Sequence, residues 1–371
     1  MSGMTLLDAP GRGARADNKE RTRVLFICKG SATVGLGHVM RTRSIARAMA
    51  EIADARVLLI GEERIMRTML DGYVECAAVA DDHSAAQACE RFQPNVVVFD
   101  MLEMDAAAFA AIRLRRLTVS TSPIFNRLAD VDVVFSRAEF PGRINLPQVG
   151  GPMVRTGRRY ATIAEHCRRI PTAEYERHVR MDPLSVAICM GGADAPNRTL
   201  SILEAVRRVR AGLLIWVLLG EEYAHSYQRL VDCVSNDKRH EIILARTADS
   251  MWRVLGQCSV AILAGGITTF EAAYAGVPSI VALDDPAKSC LIAELTAAGA
   301  CRYAGAPVED SLSSVVNALV QFDEHRDALM MMHRTGKSLI DNGGARRIAR
   351  ETIGLHTAGA AHDQEAVLQA G

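Results

Sequence analysis

The sequence predicts an α/β protein made of two consecutive parallel-sheet domains, and three observations carry that prediction. Short apolar runs alternate with helical stretches along most of the chain. Such runs, without polar alternation, suit strands covered by helices on both faces. The alternation dissolves once, at about 140–183, into sequence rich in Pro, Gly and Arg, and then restarts. Glycine-rich turns follow strand runs in both halves, at 35–37, 191–192 and 265–266, where open α/β sheets bind ligands.

In the first half the strand expectations are 24–28, 56–60, 73–79, 96–100, 117–120 and 131–135, with helices at 40–52, 63–70, 84–92 and 105–113. In the second half strands are expected at 185–190, 213–219, 241–244, 260–263 and 279–283. Helices fall between them at 197–209, 224–234, 250–255 and 268–275, and later at 289–298, 308–322, 324–339 and 345–355. Two such units of similar size predict Rossmann-like domains facing each other across a cleft. The expected boundaries are a mobile tail at 1–20, an N-terminal domain at 21–165 and a C-terminal domain at 166–340. A helix at 341–356 then packs back on the core, and 357–371 is a second mobile tail. Both tails are polar or small in composition and carry no period.

At 371 residues the chain is long enough for two domains, taking roughly 150 residues each. Hydrophobic residues make up 49% and aromatics 5%, so aliphatic side chains fill the interior. Lys+Arg and Asp+Glu are 43 each, which argues against nucleic acid or an anionic membrane as partner. The arginine clusters at 113–116, 155–159 and 207–210 read as solvated faces. The nine cysteines show no CxxC pair, as expected of reduced thiols rather than disulfides or zinc. No window approaches about 18 uninterrupted apolar residues, so the expectation is a cytoplasmic protein without a membrane span.

The chemistry concentrates at the glycine turns. In Val34-Gly-Leu-Gly-His-Val-Met-Arg41, Gly35 and Gly37 permit close approach to a ligand. His38 offers a base of the type that works near neutral pH. Gly191 and Gly192 end the first strand of the second half, and Asn197 is placed to cap the next helix. Gly265 and Gly266 end its fourth strand, with Thr268 or Thr269 capping the helix that follows. Amide N–H groups and a helix N-terminus there would cradle a diphosphate. Glu271, expected in the first turn of that helix, would accept hydrogen bonds from ribose hydroxyls. The plain structural alternatives are tight turns, a dipole interaction for Glu271 and local bonding for His38. The third glycine of a dehydrogenase fingerprint is missing, with Met40 in its place, and no P-loop, HExxH or Gly-x-Ser-x-Gly motif is present. No Asp-x-Asp-type pair lies near either turn, so no divalent metal or other cofactor is expected. The remaining histidines sit in polar surroundings with no metal-like pairing.

Taken together, the segments at 35–41, 190–194, 264–278 and 341–347 resemble the UDP-sugar hydrolase of the pseudaminic acid pathway and its spore-coat polysaccharide relatives. The resemblance runs from about Arg23 to Arg350. It implies a GT-B fold, a UDP-sugar substrate with the nucleotide on the C-terminal domain, a catalytic role for His38 and ribose binding by Glu271. Gly35, Gly37, Lys29, Arg41, Lys288 and Ser289 would then face the sugar. The chain departs from the family pattern at Ile27 and Lys29, where Arg and Asp are usual, and at Lys288-Ser289, where Asn-Gln is usual. The expected reaction is inverting anomeric C–O cleavage by water, releasing UDP and a free sugar. The alternatives are transfer of the sugar to a hydroxyl acceptor, or binding of a sugar nucleotide without catalysis.

Overall fold

A computed structural model of the chain describes residues 21–31, 36–140, 144, 146–147, 149–194, 196–246 and 251–370, the last helix with side chains to Gly359. Seven strands form the first sheet: β1 (Arg23–Gly30), β2 (Asp54–Gly61), β3 (Glu75–Val79), β4 (Val96–Asp100), β5 (Leu117–Ser120), β6 (Val133–Ser136) and β7 (Met153–Thr156). Its order is β3-β2-β1-β4-β5-β6-β7, every pairing parallel. Helices α1 (Gly37–Ala50), α2 (Glu63–Met69), α3 (Asp82–Phe92) and α4 (Ala106–Arg113) connect its strands. The second sheet has β8 (Leu184–Cys189), β9 (Leu213–Leu219), β10 (Glu241–Arg246), β11 (Val260–Leu263), β12 (Ser279–Ala282) and β13 (Cys301–Gly305). Its order, β10-β9-β8-β11-β12-β13, is again all parallel. Around it lie α5 (Thr172–Arg180), α6 (Arg198–Val206), α7 (Tyr227–Ser235), α8 (Met251–Leu255), α9 (Ile267–Ala275), α10 (Ala293–Ala297), α11 (Val308–Glu324) and α12 (Arg326–Leu339), before the final helix α13 (Gly344–Ala370).

Both sheets reverse direction between their first and fourth strands, β1/β4 and β8/β11, and this reversal opens the crevice where such sheets hold ligands. Each crevice carries a glycine turn that the sequence singles out. The central strands are apolar on both faces: β4 is buried throughout, with Val96, Val97, Val98 and Phe99 at 0–1% exposure. Residues Val24, Phe26 and Cys28 pack toward α1, and Leu25 and Ile27 toward α3 and α4.

Three elements are absent from the sequence expectation. Strands β7 and β13 are sheet edges, the first mostly exposed and the second partly buried, and they are interrupted by Arg155 and Arg302, so they lack an apolar run. Helix α5 is polar except for Tyr175 and Val179, one turn apart, which enter the second core. One further expectation changes. The stretch at 289–298 divides into a 3₁₀ turn, Pro286–Ile292, and α10. The last helix runs on to Ala370. That last helix leaves the second domain and returns to the first, where Ile348 and Ala349 join the core beneath α1.

The domains also meet through a small apolar seam, with Ala138 and Ala161 against Phe270, Val281, Leu291 and Ile340. Arg64 on α2 donates to both oxygens of Glu222 at 2.7 and 2.8 Å. Among the described residues no helix is long and apolar enough to cross a membrane.

Candidate active site

A cleft of about 610 Å³ lies between the two domains. The first domain contributes Leu36, Gly37, Met40, Arg43 and Leu102 to its wall, and the second contributes Gly191, Gly192, Gly266, Thr268, Glu271 and Lys288, among others. At Gly191 the backbone needs the freedom of glycine, with φ +102°. Gly265 needs it twice over: φ is +78°, and a Cβ there would lie 2.1 Å from Leu283 Cδ2. Gly265 thus turns the chain against Leu283 while Gly266, the N-cap of α9, reaches the cleft.

The caps differ from expectation. Neither Thr268 nor Thr269 caps α9 through its side chain. Thr269 is fully buried with its hydroxyl unpartnered, so Thr268 alone of the two reaches the cleft. Asn197 instead accepts from the Tyr223 hydroxyl at 2.8 Å. The α6 cap is supplied by Asp194, which accepts from Arg198 N at 3.0 Å and Thr199 N at 2.8 Å. Glu271 is the fifth residue of α9, hence in its second turn, and lines the cleft at 5% exposure. One of its oxygens accepts from Ala164 N at 2.9 Å.

Burial pushes the Glu271 carboxyl up to about 7, the Ala164 N–H and the Arg43 charge offsetting only part of it. A carboxyl raised on folding costs stability as pH climbs from its unfolded value toward its folded one. Glu271→Gln is therefore expected to be more stable than the parent at pH 8, on the order of 2–3 kcal/mol. The gap should close toward pH 5. Thermal melts at the two pH values check this, and an equal gap at both would refute it.

In the first domain, His38 is the second residue of α1 and Asp100 ends β4, so the two flank the β1/β4 crevice next to the cleft. Gly37 beside one and Leu102 just past the other both line the cleft. His38 Nδ1 lies 2.7 Å from Asp100 Oδ1. Arg41 Nε donates to Asp100 Oδ2 at 2.7 Å, and its Nη2 donates to Oδ1. Burial alone would raise the Asp100 carboxyl, but the Arg41 charge and the His38 hydrogen bond hold it down at about 2. An ionised Asp100 is an acceptor only, so in the tautomer that pairs with it Nδ1 is the donor and Nε2 carries the lone pair; Arg41 Nη2 also lies 3.1 Å from Nδ1. This orients an imidazole to take a proton.

The other expected sugar-side residues divide. Gly35 lies outside the described residues. Gly37 lines the cleft, yet a Cβ there would meet nothing within 4 Å, so no unusual backbone requires glycine. Arg41, expected to face the sugar, is 9% exposed and committed to Asp100. Lys29 and Ile27 also turn away from the cleft, because strand alternation points them at α3 and α4. Ile27 is fully buried there, and Lys29 pairs with Asp82 at 2.8 Å. Lys288 lines the cleft and donates to Asp284 at 2.9 and 3.1 Å, while Ser289 is half buried beside it. Sequence reasoning missed Asp100 and Arg43. Asp100 had a signal, a lone carboxylate closing the apolar run Val96–Asp100. Arg43 had none; it is buried under the cleft, donating to Met69 O at 3.2 Å and stacked over Tyr73 at 4.3 Å. Among the described residues no group of three or more His, Cys, Asp or Glu could hold a metal ion.

The chain defined by this fold and cleft is similar to known proteins at low identity. No family model matches it. An uncharacterized protein of Methanocaldococcus jannaschii is 21% identical over 266 residues, 70% of this chain. The chain spans about 55% of the length of that curated relative. Among solved structures, MurG of Acinetobacter baumannii superposes with a TM-score of 0.59 at 13% identity, covering 89% of this chain and 99% of that one. Anabaena HepE in complex with UDP-glucose gives 0.60 at 11% identity, covering 90% and 99%. The spinosyn forosaminyltransferase SpnP gives 0.57 at 14% identity, covering 91% and 99%. The fold is GT-B, two Rossmann-like domains facing across a cleft.

Proposed function

We propose that the chain is a nucleotide-sugar-processing enzyme that displaces UDP from the anomeric carbon of a UDP-sugar. The observation that carries this reading is the His38–Asp100 pair in the β1/β4 crevice, directly beside Gly37 on one side of a cleft whose other side holds the Gly266–Thr268 start of α9. The nucleophile's O–H proton passes to His38 Nε2 as its oxygen bonds to the anomeric carbon. The anomeric C–O bond to phosphate breaks, its electron pair leaving on UDP. Amides at the start of α9 stabilise that charge. Attack from the wall opposite the leaving group inverts the anomeric centre.

The first reading of the nucleophile is the hydroxyl of an acceptor sugar or glycan. A forosaminyltransferase and a HepE holding UDP-glucose are among the structural neighbours, which supports transfer. The second is water, the hydrolase reading, favoured by the match of the 35–41 and 264–278 segments to the pseudaminic acid pathway enzyme. Incubation with a panel of UDP-sugars, with and without acceptors, in ¹⁸O-labelled water separates them. Sugar release only with acceptor marks a transferase, and label in free sugar marks a hydrolase. Label in phosphate would mean attack at phosphorus and sink both.

UDP is expected to bind in EDTA as well as in magnesium, because the start of α9 offers backbone amides and the Thr268 hydroxyl, and among the described residues no group of three or more His, Cys, Asp or Glu could hold a metal ion. Glu271→Ala should weaken that binding by about 1.5–3 kcal/mol if its free oxygen holds ribose hydroxyls. His38→Ala should leave it nearly unchanged. Calorimetric titration of each variant with UDP checks both, and equal losses in the two variants would contradict the division of labour.

A further inference from the structure

Arg137 is a buried charge close to Arg41 and Asp100 that the reading above leaves without a task. It follows β6, at the same end of the sheet as Asp100. Its guanidinium lies over the Phe270 ring, 5.1 Å from the centroid. Phe270 is the fourth residue of α9, so the cation bridges from the first domain to the helix whose start lines the cleft. Its Nε is buried and makes no hydrogen bond, and among the described residues no carboxylate lies within ion-pair distance. Burial first, and then the neighbouring Arg41 charge, push the guanidinium down to about 9, with Asp100 offsetting part. It remains a cation at neutral pH.

The local charge does not balance. Asp100 is already shared between Arg41 and His38, which leaves Arg137 as a surplus positive charge. Burying an unpaired cation is costly, and its placement makes sense when an anion completes it. The face of the guanidinium rests on Phe270, whereas its N–H edges are where an oxyanion binds. The helix it rests on, α9, begins three residues before Phe270 and has its own preference for negative charge at that end.

We propose that Arg137 binds the terminal phosphate of a nucleoside diphosphate, on the sugar-bearing side of the diphosphate. It rests on the nucleotide-sugar reading above and adds a residue from the N-terminal domain to a site otherwise built by the C-terminal one. The leaving group's charge is then met from both domains at once.

Calorimetric titrations of the parent, Arg137→Gln and Arg137→Lys with UDP, UMP and inorganic pyrophosphate test it. Arg137→Gln should weaken UDP and pyrophosphate about 10- to 100-fold, the worth of a hydrogen bond to a charged group. UMP, which lacks the terminal phosphate, should change little, and Arg137→Lys should recover part of the loss. Thermal melts of the free variants should be no lower than the parent's, since an unpaired buried cation has been removed; binding lost in a protein that still melts normally is binding lost at the site. Equal UDP and pyrophosphate affinity in the parent and Arg137→Gln would overturn the proposal while leaving the nucleotide reading intact. Pyrophosphate bound through Arg137 by a protein that ignores UDP would sink the nucleotide reading and, with it, the proposal. A parent that binds neither would sink both.

Discussion

Replacing His38 with alanine is expected to slow turnover by roughly 10²–10⁴-fold, the usual contribution of a general base. The loss should fall on kcat, since the imidazole takes a proton in the transition state and adds little to ground-state binding. Asp100→Asn probes the same step from behind. An amide can still occupy the space beside His38 Nδ1, 2.7 Å away, but it no longer compels that nitrogen to be the donor. Part of the population then presents N–H, not a lone pair, to the nucleophile, and kcat should fall on the order of 10²-fold with little change in KM. Steady-state kinetics on the UDP-sugar identified by the panel measure both. Full activity in His38→Ala would remove the histidine from the mechanism, and full activity in Asp100→Asn would reduce the pairing to a structural contact.

Arg41→Ala carries the largest expected cost in stability. Asp100 is 1% exposed and Arg41 is 9% exposed, so the alanine variant strands a carboxylate in the interior with only His38 for a partner. Breaking a buried pair in this way costs about 3–5 kcal/mol. The pH dependence has a definite sign. In the parent, a carboxyl depressed to about 2 contributes stability above its unfolded value, and that contribution is lost as pH falls through the folded one. In the variant, burial acts unopposed by Arg41 and the carboxyl protonates earlier, which relieves the penalty. The gap between parent and variant should therefore be widest near neutral pH and shrink toward pH 4. Urea unfolding across that range measures it. A variant as stable as the parent at neutral pH would mean that Asp100 is neutral in the fold.

The parallel sheets were readable because their central strands are apolar without interruption. Val96–Asp100, Leu117–Ser120, Leu213–Leu219 and Val260–Leu263 are bounded in the structure where the sequence pattern bounds them. Strands β7 and β13 were not readable, because Arg155 and Arg302 break what would be their apolar runs. At the site, glycine turns mark where the chain approaches the cleft, yet not which side chains point there. Lys29 shows the limit: one residue's difference in strand phase separates facing the cleft from pairing with Asp82. The Asp100 partnership is equally hidden, since 62 residues separate it from His38 and only the parallel pairing of β1 with β4 brings them together.

The returning helix α13 has a mechanical consequence. The chain passes between the domains twice, once near Tyr160–Ala161 on the way out and once near Gly344 on the way back. These passages touch: Arg347 Nη1 donates to Arg159 O at 2.7 Å, and a Cβ on Gly344 would lie 2.0 Å from Ala161 O. One strand of chain would act as a swivel, free to turn in any direction. Two strands laid flat against each other behave as a strap, which bends readily across its face but resists torsion. Joined in this way, the His38 side and the start of α9 are held in register by two covalent links instead of one.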